Sequence, residues 1–113
     1  MTYTDTSIII SELNDHFRNR AGAGGLVVIT PAVQALKHEQ RSILHSRVIC
    51  FNHFTEDNDP NGEHDFGCIR YLNTDWFWKI DYYADASCEW GSEDPSDPAK
   101  CYRVLTVMHA SEY

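Results

Sequence analysis

The densest run of chemically capable side chains in the sequence is Glu63-His64-Asp65. An imidazole among carboxylates suits acid–base catalysis or metal binding, because histidine changes charge near neutral pH. In an extended segment neighbouring side chains point to opposite faces, so Glu63 and Asp65 share a side and His64 needs a partner from elsewhere in the chain. Asp59, Glu63, His64 and Asp81 form the acid–base set of an enzyme built at a loop edge. The competing role is structural: Asp59, Glu63 and His64 fasten their own loop through hydrogen bonds to its backbone, as carboxylates and asparagines do in turns.

Cys50-x-x-His53 and His64-x-x-x-Cys68 have spacings that a structural zinc module can use, with two donor pairs on adjacent strands. The order Cys-His-His-Cys lacks a paired-cysteine knuckle, and half-buried strands also accept free cysteine as a small apolar residue. No metal and no cofactor is expected. No serine or cysteine stands in a nucleophile motif, and Ser42, His45 and Ser46 do not make a triad on a strand. Gly22-Ala23-Gly24-Gly25 sits between a helix and a strand, which is the order of a helix C-cap and turn. A phosphate loop runs the other way, from strand to helix. Trp76, Trp78, Tyr82 and Tyr83 read as core and cross-strand pairs.

Charge separates the two halves. Residues 1–50 hold four acids and five bases, net +1, whereas residues 51–113 hold thirteen acids and four bases, net −9. Direct nucleic-acid binding needs a basic footprint and is disfavoured; a cationic protein surface is the complementary partner. No apolar run approaches the roughly 20 residues that cross a bilayer, and the N-terminus has no basic start followed by an apolar signal segment. Four cysteines with no secretory signal read as free thiols of the reducing cytoplasm.

These side chains need elements to position them. Ile9, Ile10, Leu13 and Phe17 recur at helical spacing over residues 6–20, with Asp5 or Thr6 as cap. Leu26 to Ile29 is a short strand. Thr30-Pro31 starts a short helix that carries Val33 and Leu36 inward and ends near His38. Ile43 to Phe54 is rich in branched and aromatic residues and reads as a strand. Turn formers fill 55–63, and Phe66–Leu72 and Trp76–Tyr83 form a hairpin closed around Asn73-Thr74-Asp75. Trp76, Trp78, Ile80 and Tyr82 share one face of the second arm; Phe77, Lys79, Asp81 and Tyr83 share the other. Lys79 and Asp81 should pair or lie at the margin. An acidic loop over 84–100 and a last strand over Tyr102–Met108 complete one domain, 1–113. The expected fold class is α+β: an N-terminal helix and a short second helix packed on an antiparallel sheet of about four or five strands.

Five stretches resemble a proteobacterial family, present in genomes, plasmids and phages, that is defined only as a domain of unknown function. They are Leu13–Arg18, Asn58–Gly67, Trp78–Tyr83, Gly91–Pro98 and Arg103–Met108. The resemblance spans most of the chain and brings no activity or catalytic residue with it. Ala84 departs from it, where an acid would be expected after the paired tyrosines. Its distribution implies a mobile-element protein, and small inhibitors of host defence, including anti-CRISPR proteins, are common there. Combined with the charge, it leads to an expectation of an acidic inhibitor that occupies the basic, nucleic-acid-binding surface of a host protein. The contacting acids would be Glu56, Asp57, Asp59 and Glu63 in the first loop, and Asp85, Glu89, Glu93, Asp94 and Asp97 in the second. The alternatives are a small acid–base enzyme and a zinc module.

Overall fold

A computed structural model describes residues 4–113. Helix α1 runs Asp5–Asn19, with the Thr4 hydroxyl accepting from the Ser7 amide at its start. It ends where Ala21 adopts a φ of 54° and Gly22 a φ of 80°, and the Gly22 amide donates back to the Phe17 carbonyl. That left-handed stop is what the glycine cluster foretells. A Cβ on Gly22 would lie 2.2 Å from Val27 Cγ2, so the turn packs directly on the strand that follows.

That strand is β1, Leu26–Ile29. Pro31 opens the single-turn helix α2, Pro31–Gln34. Helix α3, His38–Ile49, then occupies ground that the sequence marks as the start of a strand. Its branched residues Ile43, Val48 and Ile49 favour extended backbone locally, but Leu44 and Val48, four apart, lie at 0% and 1% exposure against the sheet. A packed helical face outweighs a weak propensity. Gln40 Oε1 also accepts from the Lys37 amide and satisfies one donor at the helix start. The shorter second helix and the missing strand at 43–54 are therefore one correction: α2 stops at Gln34 and a second, longer helix follows.

Strands β2, Phe66–Tyr71, and β3, Thr74–Tyr83, form the expected hairpin. Its two turn residues are Leu72 and Asn73, with φ of 56° and 61°, so Thr74 pairs in register with Tyr71 instead of lying in the turn. Strand β4, Tyr102–His109, completes a four-stranded sheet of order β1-β4-β3-β2. The β2, β3 and β4 pairs are antiparallel, and β1 joins β4 in parallel, so the sheet is mixed.

The helices cover one face. Phe17, Val33, Leu44 and Val48 meet Ile69, Trp76, Trp78, Ile80, Leu105 and Val107 there. Trp78 is fully buried at the centre, with Phe51 and Phe54 packed edge-on against it. The opposite face is open. It carries a concavity of about 660 Å³ floored by Val104, Thr106 and Met108, and Lys79 pairs with Asp81 there at 2.8 Å.

Candidate functional site

The 51–65 loop enters β2, and the 84–100 loop joins β3 to β4, so both acidic loops lie at the same end of the sheet. What ties them together is buried and polar. Asn14 on α1, with no exposed surface, donates to the Glu63 carbonyl at 2.9 Å and to the Tyr82 hydroxyl at 2.8 Å. Its Oδ1 accepts from Arg103 Nε at 2.6 Å, and Arg103 Nη2 reaches on to the Pro95 carbonyl in the second loop. The Tyr82 phenol in turn donates to Glu63 Oε1 at 2.8 Å. Five segments of the chain therefore share one hydrogen-bonded junction, which fixes the two loops side by side.

A second cluster lies on the helix side of the first loop. Asp59, at 2% exposure, turns inward, and its carboxylate accepts from the Glu63 and His64 amides. That pull holds His64 at a φ of 56°, a conformation unfavourable for a residue with a Cβ. The imidazole stacks on Phe54 with centroids 3.8 Å apart and planes within 2°. Its Nδ1 meets both oxygens of Asp15 at 3.0 and 2.9 Å, and Nε2 lies 3.7 Å from Asp59 Oδ2. Asp15 also accepts from Arg18 Nη2 at 3.0 Å. Arg18 Nη1 caps α3 by donating to the Val48 and Ile49 carbonyls, while the guanidinium lies 4.8 Å from the Trp78 ring. Burial lowers the Arg18 pKa, and the neighbouring Asp15 partly restores it.

The acid–base set read from sequence is thus only partly assembled. Asp59 and His64 meet. Glu63 faces Tyr82 instead, and Asp81 belongs to the open face with Lys79. The distant partner that His64 needs is Asp15 on α1. Asn14, Arg18 and Arg103 were missed for a related reason: the buried stripe of α1 is Ser7, Ile10, Ser11, Asn14, Phe17 and Arg18, while Ile9 is 45% exposed. A hydrophobic count puts the wrong side inward when most of the inner stripe is polar. The one available signal was Asn14 and Arg18 in register with Ile10 and Phe17.

The zinc donors are not gathered. Cys50 caps α3, Cys68 is exposed on β2, and among the described residues no three of His, Cys, Asp and Glu are placed to hold a metal ion. The same residues include no disulfide; all four cysteines are free.

The acids of the two loops divide by role. Glu56, Asp57, Asp85, Glu89 and Glu93 are exposed. Asp85, Asp94 and Asp97 accept from amides two residues on, and the Ser87 and Ser96 hydroxyls hold the first two carboxyls below the usual carboxylate range. Asp65 is different: burial raises its pKa, and the charges of Glu63, Asp59 and Asp81 raise it further. Burial likewise lifts the Tyr82 phenol far above the usual tyrosine range, assisted by the Asp65 and Glu63 charges.

The Asp65 shift has a testable sign. Its folded pKa lies above the unfolded one, so between the two the native state holds more protons and stability falls as pH rises. Above that window Asp65 stays ionised at a cost. Asp65→Asn should therefore raise the melting temperature at pH 7, and the gain should vanish below about pH 3.8, where both states are protonated. Paired thermal melts at the two pH values check this; a lower melting temperature at pH 7 would show that the carboxylate holds a stabilising partner.

The fold and this junction define a small α+β domain whose helix-covered sheet presents two acidic loops at one end. Residues 29–112 match the family model described as Protein of unknown function (DUF3768), and the chain belongs to that family. Helix α1, which supplies Asn14, Asp15 and Arg18, lies outside the matched residues. No curated protein and no solved structure matches the chain. Among the described residues no helix is long and apolar enough to cross a membrane.

Proposed function

We propose that this chain is an acidic interaction protein that occupies the basic, nucleic-acid-binding surface of another cytoplasmic protein, as an inhibitor carried by a mobile element against host defence, anti-CRISPR proteins included. The observation that carries this reading is the convergence of both acidic loops at one end of the sheet, clamped by the Asn14–Arg103 junction. Carboxylates held on a rigid support can take the places of phosphates. They lose little conformational freedom on binding, and their field speeds encounter with a basic partner. The contacting set is Glu56, Asp57, Asp85, Glu89 and Glu93, all exposed. Asp59 is buried and Glu63 is engaged by Tyr82, so these two support the surface from beneath.

The test is capture from a host lysate by the tagged protein, followed by titration with the protein recovered. A basic nucleic-acid-handling protein should be retained, displaced by DNA and released as salt rises. Reversing Glu56, Asp57, Glu89 and Glu93 to lysine should weaken binding at least about tenfold while circular dichroism is unchanged. Binding that survives the reversals, or that is indifferent to salt, would exclude the charge-based reading.

A further inference from the structure

Beside the acidic end, Asp15, Arg18, Asn19, Cys50, Phe51, Asn52, Phe54 and His64 line a separate recess of about 350 Å³. We propose that His64 is a general acid–base catalyst, oriented by Asp15, which hydrolyses small neutral or cationic carboxylic esters in this recess. The inference is independent of the proposed interaction role.

The geometry is that of a held base. Asp15 engages Nδ1 at 2.9 Å and so keeps the proton of the neutral ring on that nitrogen. Nε2 then carries the lone pair. Asp59 Oδ2 lies 3.7 Å from it, too far for a hydrogen bond. Stacking on Phe54 prevents the ring from turning away. His64 lines the recess, and its side chain is 27% exposed.

The walls set the substrate. The recess lies at the C-terminal ends of α1 and α3, which carry partial negative charge, and it holds the Asp15 carboxylate with that of Asp59 close behind. Arg18 is 1% exposed and is engaged by Asp15 and two carbonyls, so it offers no free cation to an anionic ligand. A neutral or cationic ester is therefore favoured over a phosphate or carboxylate. In the reaction, Nε2 takes a proton from water as the water oxygen bonds to the ester carbonyl carbon. The exposed Asn19 and Asn52 side chains are the amides at hand for the oxyanion. The carbon–oxygen bond to the alcohol then breaks, and the alkoxide takes the proton from Nε2. Water is consumed, an acid and an alcohol are released, and His64 is regenerated.

Hydrolysis of 4-nitrophenyl acetate by the full chain tests this. The wild type should exceed the buffer rate, run slower in D2O, and prefer this ester over the anionic 4-nitrophenyl succinate monoester. His64→Gln should lower kcat by about 100-fold, whereas His53→Gln should not. Asp15→Asn should lower kcat and alter its pH profile with KM little changed, as a positioning role requires. A burst of 4-nitrophenol stoichiometric with the protein would reveal a covalent acyl intermediate, as a thiol nucleophile forms, and overturn the proposal. So would an absent D2O effect in the wild type, a measurement that needs no variant to fold. Activity no greater than buffer would overturn it too.

Discussion

Replacing Asn14 with alanine should destabilise the protein by about 3 kcal/mol, a large share of the roughly 5–15 kcal/mol that holds such a domain. The side chain is small, and its removal costs little in apolar contact. The loss arises because three groups were matched to it: the Glu63 carbonyl, the Tyr82 hydroxyl and Arg103 Nε. Arg103 is 6% exposed, so its Nε–H would be left without water or partner. An unpaired donor on a buried cation is among the costliest defects in a fold. Urea denaturation measures the effect. A loss under about 1 kcal/mol would mean that water reaches the junction and replaces Asn14. Because the same junction aligns the two acidic loops, the variant should also weaken partner binding in the proposed role.

Arg18→Ala should cost about 4 kcal/mol, and Arg18→Met about half of that. The guanidinium carries three hydrogen bonds from Nη1 and Nη2 and packs over Trp78 and Phe54. Alanine removes those bonds and leaves a cavity beside the central tryptophan. Methionine keeps the stem volume against the aromatic rings and loses only the polar part. Arg18 Nε is itself buried without a partner, so removing the charge also relieves a desolvation cost. Denaturation curves for the two variants separate packing from capping. Equal losses would assign the stabilisation to the α3 carbonyls, and a methionine variant as stable as the wild type would assign it to packing.

These variants bear on how much of the site could be read from the chain. The stretch from Asn58 to Asp65 was legible as a loop rich in carboxylates around a histidine, and in the structure the loop is indeed fastened by its own Asp59. The identity of the His64 partner was not legible. Asp15 lies 49 residues away, and only the packing of α1 against the loop brings it within 3 Å. The same holds for Arg103 and Asn14, which are 89 residues apart.

Sequence by itself determined the elements whose signal is local and repeated. Period-two alternation set the two faces of β3, with Trp76, Trp78 and Ile80 inward and Lys79 paired with Asp81 on the other side. Thr30-Pro31 and the glycines after α1 marked a helix start and a helix end, because a missing amide or a positive φ constrains the backbone whatever surrounds it. The uneven charge was equally plain. Tertiary structure decided the rest. Residues 38–49 became a helix because Leu44 and Val48 had a sheet to pack against, which no local propensity encodes. Strand β1 runs parallel to β4, the last strand of the chain, a pairing across more than seventy residues that no local signal encodes. The inward turn of Asn14 and Arg18 depended on polar partners that distant segments supplied. Burying such groups is unfavourable until those partners arrive, and so the sequence around them gives no sign of it beyond their register with Ile10 and Phe17.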